Sequence, residues 1–232
     1  DDELVIGSGE TLASVAAHPL VRRHAPSVAE AAGLVAGPQL RNMGTIGGNL
    51  CLDTRCTYYN QTFFWRQALG FCLKKDGDTC HVTRVGRKCV AAHSADTPPA
   101  LMTLDAVADF VSVTGERSVP VAELFVADGI RNTVRAPGEI LVRVRVPLPA
   151  PGTRTAFRKL RQRNAIDFPL LNLAVACDLD GEERVRSIRL VVSALGARPR
   201  VVSGLEEIAG LQRTKVQLDA RGAVLLDDEA RR

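Results

Sequence analysis

The alternation of apolar and polar positions divides the chain into recognisable elements. Leu4-Val-Ile6 is a short apolar run closed by Gly7 and predicts a strand. A helix is expected from Thr11 to just before Pro19. Ser27 and Glu30 form an S-x-x-E capping box ahead of the run Val28 to Ala36, and Gly37-Pro38 supplies the stop. Residues 40–49, Leu-Arg-Asn-Met-Gly-Thr-Ile-Gly-Gly-Asn, are too rich in Gly and Asn for a regular element and read as a structured loop. Past residue 92 a strand is expected over Val107 to Val113 and a short helix over Pro120 to Val126. Ile140 to Val146 alternates strictly, with Ile140, Val142, Val144 and Val146 on one face and Leu141, Arg143 and Arg145 on the other. Pro147 to Gly152 marks a boundary. Beyond it, Leu171, Leu173, Val175, Cys177 and Leu179 share a strand face, Asp180-Gly181 suits a turn, and Val185 to Leu195 is the partner strand. Gly204 to Leu211 is expected to be helical. The whole reads as α+β, ending in an antiparallel sheet.

Composition sharpens this picture. With 232 residues, 46% hydrophobic and 24% charged, the chain is ordinary globular stock, which excludes disorder, collagen and coiled coil as overall classes. No run reaches the roughly 18 apolar residues of a membrane span, and no basic-then-apolar signal segment opens the chain. The sequence starts at Asp1 rather than Met, as a piece of a longer chain would. The net charge of +4 does not argue for nucleic acid. That excess sits entirely in residues 51–92, which hold seven basic and three acidic residues, five of the six cysteines and six of the ten aromatics. Such a shift marks an insert with its own task.

Within the insert, Cys56, Cys72, Cys80 and Cys89 are 16, 8 and 9 residues apart. In a reduced compartment, the expectation without a secretory signal, such a cluster points to metal or redox chemistry. Zinc sites usually use close cysteine pairs, and none is present here. Wide spacing suits a larger object held by separate loops, such as a [4Fe–4S] cubane, but spacing alone leaves zinc and iron–sulfur both open. The local positive charge would stabilise an anionic cluster, and Tyr58, Tyr59, Phe63, Phe64, Trp65 and Phe71 are candidates to shield it from water. Cys51 stands next to the Gly-Gly loop, and Cys177 reads as a core residue. Thr45-Ile-Gly-Gly-Asn49 offers backbone N–H groups free of Cβ obstruction, a pattern that suits a pyrophosphate and also makes ordinary turns.

Val35-Ala-Gly-Pro-Gln-Leu-Arg-Asn-Met-Gly-Thr-Ile-Gly-Gly-Asn-Leu50 resembles the second FAD-binding stretch of flavoprotein subunits in the xanthine oxidase family. Ser94-Ala-Asp96, Pro98-Pro-Ala-Leu101, Gly138-Glu-Ile-Leu141 and Ala156-Phe-Arg-Lys-Leu160 continue the likeness, which runs from about Leu4 to about Leu218. The cysteine insert, with Cys51-Leu-Asp-Thr-Arg-Cys56, Trp65-Arg66, Cys72-Leu-Lys-Lys-Asp-Gly77 and Cys80-His-Val82, is similar to the β subunits of the 4-hydroxybenzoyl-CoA reductase group.

That resemblance implies the second part of a PCMH-type FAD-binding domain over residues 1–150, with a cluster-binding insert at about 51–92. A small antiparallel α+β domain would follow at 151–232. The family's first FAD loop, of Gly-Gly-Thr-Asp type, has no counterpart in these residues. The resemblance implies that Cys56, Cys72, Cys80 and Cys89 ligate a [4Fe–4S] cluster. It implies FAD contacts at Val35, Thr45, Ile46, Gly47, Gly48, Asn49, Asp96 and Leu141, and at Arg158 or Lys159. The activity implied is electron transfer in a cytoplasmic molybdenum enzyme that reductively dehydroxylates 4-hydroxybenzoyl-CoA, with no catalytic acid, base or nucleophile in this chain. Partners would be a molybdopterin subunit and a [2Fe–2S] subunit, in a dimer of heterotrimers reduced by ferredoxin. Lys74 and Lys75 are candidates for docking an acidic ferredoxin. Another family hydroxylase or a zinc-stabilised binding module are the alternatives.

Overall fold

The computed structural model describes residues 2–83 and 87–211, together with the backbone of 216–218 and 224–226. Strand β1 (Glu3–Gly7) leads into helices α1 (Leu12–Ala17), α2 (Pro19–His24), α3 (Pro26–Gly33), α4 (Pro38–Met43) and α5 (Ile46–Leu50). The insert carries α6 (Phe63–Ala68). Then follow α7 (Thr97–Thr103), β2 (Val107–Ser112), β3 (Gly115–Pro120), α8 (Val121–Leu124) and β4 (Ile140–Pro147). The last part holds β5 (Thr153–Leu160), β6 (Leu171–Leu179), β7 (Val185–Ser193) and the short β8 (Arg200–Val201). A 3-10 turn at Glu206–Ile208 stands where a helix over Gly204 to Leu211 was expected. The backbone of β9 (Val216–Leu218) and β10 (Val224–Leu226) forms an antiparallel pair.

Two four-stranded antiparallel sheets result, ordered β1-β4-β2-β3 and β5-β6-β7-β8. The segment Pro147 to Gly152 links one sheet to the other, as its punctuation suggested, but the buried core crosses it. Phe157, Ala174 and Val191 from the second sheet belong to the same apolar cluster as Val28, Ala100 and Val144. Alanines make this possible: Ala25, Ala29, Ala31 and Ala32 are all buried, so α3 packs closely on α1, α7 and β5.

Several expectations are corrected. Pro26 opens α3 as its first residue, with Ala25 at the N-cap, so Ser27 lies inside the helix. Its hydroxyl is fully buried without a hydrogen-bond partner, and Glu30 instead accepts from the Phe157 backbone N–H and from Arg158. The helix stops at Gly33, and Pro38 starts α4 rather than ending α3. The stretch read as a loop, 40–49, is mostly helical: it holds the end of α4 and the start of α5, the latter capped by Thr45, whose hydroxyl accepts from Gly48 N at 3.0 Å. In β4 the alternation changes parity. Arg143 faces Asp109 and Leu141 faces Phe110, so Val142 is the extra residue of a β-bulge. Leu141, Val144 and Val146 are therefore buried, while Ile140 and Val142 are exposed.

In β6 the fully buried face is the one carrying Asn172 and Ala174, turned toward α7, whereas Leu171, Leu173, Val175 and Cys177 are half-buried on the other side. Among the described residues no helix is long and apolar enough to cross a membrane.

Candidate cofactor site

The end of β1 and the cap of α5 meet first. Ile46 N and Gly47 N donate to Glu10 O and Ser8 O, both at 2.9 Å, and Asn49 N donates to Thr45 O at 2.9 Å. With Gly48 N held by Thr45, the donors of residues 46–49 are all committed within the protein. The expectation of free N–H groups for a pyrophosphate is corrected accordingly, and the glycines act by size. A Cβ on Gly47 would stand 2.7 Å from Ser8 Cβ and 2.8 Å from Ser8 O, so only glycine lets α5 seat against that turn.

Helix α5 then forms a wall of two cavities. The first is lined by Thr45, Gly47, Gly48 and Leu141, with Ser8, Cys51, Arg135 and Glu139 also on its wall. The second is lined by Val35, Asn49, Asp96 and Lys159, with apolar walls from Leu40, Leu52, Ile166 and Phe168. Eight of the anticipated flavin contacts thus fall on these two adjoining cavities. Two do not. Ile46 is fully buried in the core, and the Arg158 side chain is 72% exposed and paired with Glu30. In the Phe-Arg-Lys stretch strand parity turns Lys159 toward the second cavity and Arg158 away from it.

Lys159 is one half of a buried ion pair. Its Nζ donates to Asp96 Oδ2 at 2.7 Å and to Leu34 O at 3.1 Å, and the two side chains are only 2% and 3% exposed. Asn172 donates to the other Asp96 oxygen at 2.9 Å. Burial pushes the Asp96 carboxyl up, and the Lys159 charge and hydrogen bonds oppose it. Asn49 ties this wall to α7: its Oδ1 accepts from Thr97 N at 3.1 Å and from Thr97 Oγ1 at 2.7 Å.

Sequence reasoning missed Ser8 and Arg135. The Gly7-Ser8-Gly9 turn at the end of β1 was a legible signal for close approach. Arg135 carried none, because only the return of β4 brings it to α5.

The insert builds a third cavity. Cys56, Cys72, Cys80 and Cys89 all line it, with Tyr58, Lys74 and His81. Cys89 is buried, and burial pushes its thiol up; the Ala91 N–H and the Lys74 charge pull the other way, while Cys56 and Cys80 add to the rise. None of the six cysteines is in a disulfide. Among the described residues no group of three or more His, Cys, Asp or Glu side chains is arranged to hold a metal ion. Cys51 lies apart, in the first cavity, where burial raises its thiol.

Of the aromatic shield, only Tyr58 lines the cysteine cavity. Phe63, Phe64 and Trp65 on α6 are 58%, 80% and 41% exposed, and Tyr59 instead lies under Arg55, Arg66 and Lys74. The pairing of Lys74 with Lys75 as a docking surface is also corrected. The Lys74 side chain is 6% exposed and Lys75 56%, because the turn at Cys72 points one inward and one outward. Further along, His93 is fully buried against Phe125 with both ring nitrogens unpartnered, and burial lowers its pKa to about 4.

Comparison with known proteins gives this geometry its context. Residues 1–149 match the family model described as the FAD binding domain in molybdopterin dehydrogenase. The chain is 34% identical over 191 residues to the aldehyde oxidoreductase FAD-binding subunit PaoB of Escherichia coli K12, covering 78% of this chain and 60% of PaoB. It is 28% identical over 232 residues to the carbon monoxide dehydrogenase medium chain of Hydrogenophaga pseudoflava, covering 98% and 66%. A solved carbon monoxide dehydrogenase from Hydrogenophaga pseudoflava superposes with a TM-score of 0.69 at 24% identity, over 93% of this chain and 61% of that one. Quinoline 2-oxidoreductase from Pseudomonas putida 86 gives 0.68 at 22%, over 91% and 59%. These structural likenesses establish the fold, and the chain spans about 60% of the length of PaoB. The extent of the family match across the first sheet and α5 shows that the chain belongs to the FAD-binding domain family of molybdopterin dehydrogenases.

Proposed function

We propose that this chain is the electron-relaying flavoprotein part of a molybdenum enzyme, with a [4Fe–4S] cluster in its insert. The observation that carries the cluster is the convergence of Cys56, Cys72, Cys80 and Cys89 on one cavity from four separate loop segments. Four thiols brought to one cavity from separate segments, with no close pair of the kind zinc sites use, suit a polynuclear group better than zinc. The flavin-side cavities fit FAD chemically: one offers the Arg135 cation beside small residues, the other an apolar wall beside the Lys159–Asp96 pair. When bound, FAD and the cluster supply the redox chemistry. The residues here bind and orient them. Asn49 and Thr97 hold the partition between the cavities, and Lys159 presents a fixed cation. No group in this chain is proposed as a general acid, base or nucleophile.

The cysteine insert favours an enzyme of the 4-hydroxybenzoyl-CoA reductase type, working with molybdopterin and [2Fe–2S] subunits and with ferredoxin as reductant. A hydroxylase of the same family is the second reading, supported by the aldehyde oxidoreductase and carbon monoxide dehydrogenase relatives. Anaerobic isolation with quantification of iron, sulfide and flavin tests the first. About four iron and four sulfide per chain are expected. About one zinc without sulfide, or no metal at all, overturns the cluster.

A further inference from the structure

We propose that Lys74 is a positioning residue that sets the reduction potential of the four-cysteine site and ties that site to the flavin-binding lobe. This rests on the reading of the cavity as a cluster site and goes beyond it to a residue that ligates nothing.

Lys74 lies two residues after Cys72 and lines the same cavity. Its ammonium has three hydrogen-bond acceptors around it: Asp53 Oδ1 at 2.7 Å, Thr54 Oγ1 at 3.1 Å and the Gly129 carbonyl. Thr54 in turn donates to the same Gly129 carbonyl at 2.8 Å. Gly129 N donates to Cys89 O at 2.8 Å, and a Cβ on Gly129 would stand 2.8 Å from Cys89 Sγ. One cation therefore joins the segment just after α5, the loop preceding β4 and the edge of the cysteine cavity.

Its electrostatic reach differs from that of the neighbouring Lys75. The Lys75 side chain is 56% exposed and paired with Asp76, so water screens it. Lys74 is 6% exposed, while its partner Asp53 is 56% exposed and better solvated. The buried positive end is felt in the cavity more strongly than the exposed negative end. Adding an electron to an anionic group increases its negative charge, so a fixed cation beside it favours the reduced state.

The test is an EPR-monitored redox titration of the full-length protein, isolated anaerobically, in three forms beside the wild type. Lys74→Met should lower the potential, cutting the ratio of reduced to oxidised cluster about tenfold at fixed ambient potential, which is 59 mV for one electron. Asp53→Asn, which removes the countercharge, should raise it. Lys75→Met should leave it within a small fraction of either shift. Intact clusters whose potential ignores both Lys74→Met and Asp53→Asn overturn the proposal. Should Lys74→Met fail to retain its cluster, the other two decide: a rise in Asp53→Asn beside an unmoved Lys75→Met supports it, and no rise defeats it. A wild-type protein lacking iron and sulfide is a different result, and removes the cluster reading itself.

Discussion

The two cavities against α5 and the cavity of the insert are built by opposite means. The α5 wall stands on a continuous apolar core: Ile46 and Leu50 are fully buried, and Ala100, Leu101 and Val144 close around them. Among the described residues of 51–92 the buried apolar positions are Cys72, Cys89 and Ala91, two of them thiols, while Phe63, Phe64 and Trp65 face solvent. What holds the insert is polar and cationic: Lys74 with its three oxygens, Arg66 between Tyr59 and Phe71, and His81 on the Phe71 carbonyl. A segment that buries so little apolar surface gains its remaining order from whatever its cysteines bind. Family membership is thus written in the core, and the feature that would single out a subgroup is written in a lobe the core does not support.

The largest test of that contrast removes the insert's ligands. Cys72→Ala should abolish iron incorporation and make residues 51–92 the first site of limited proteolysis. The two-sheet body should melt within a few degrees of the wild type, because no core side chain outside the insert has changed. If loss of the cysteine instead lowers the main transition as much as a core cavity does, about 2–5 kcal/mol, the insert is part of the body and the contrast fails.

The converse variant strikes the body and should spare the insert. Lys159→Met leaves Asp96 as a buried, unpaired carboxylate beneath the second cavity. Breaking a buried pair by removing one partner costs about 3–5 kcal/mol, so denaturant unfolding should shift by that amount, with flavin retention falling alongside. Asp96 would then escape by taking up a proton, since burial already pushes its carboxyl up, and the deficit should shrink as pH falls. Iron content per folded molecule should stay at the wild-type value.

The same contrast explains what could be read from sequence. Strands β1, β6 and β7 and the helix α1 beginning at about Thr11 were legible because each follows a local pattern. The hydrophobic run of β4 was legible too, but not its inner face, because the bulge opposite Asp109 is set by the neighbouring strand. The capping box at Ser27 was misleading, since Pro26 one residue earlier already fixes a helical start. The eight residues that line the two α5 cavities were named through resemblance, because only packing brings them to common walls. Spacing alone left the four cysteines open between zinc and cluster. Arg135 carried no signal, and Lys74 was read only as a surface cation, since nothing local separates a lysine turned inward from Lys75 turned outward.

The smallest effect is the most discriminating between fold and site. Thr11 and Thr45 are equivalent caps on α1 and α5: each hydroxyl accepts a backbone N–H three residues on, from Ser14 at 3.1 Å and Gly48 at 3.0 Å, and the two residues pair in an isolated antiparallel bridge. Replacing either by valine removes one capping hydrogen bond at similar side-chain volume, at a cost of about 1 kcal/mol. The stability loss should therefore match in the two variants. Flavin affinity should not, because Thr45 lines the first cavity and Thr11 does not. Losing the Thr45 cap also frees Gly48 N and loosens the first turn of α5, the wall common to both cavities. Fluorescence titration with FAD should then show weakening for Thr45→Val and wild-type binding for Thr11→Val, and equal affinities would mean that α5 is scaffold rather than a contact surface.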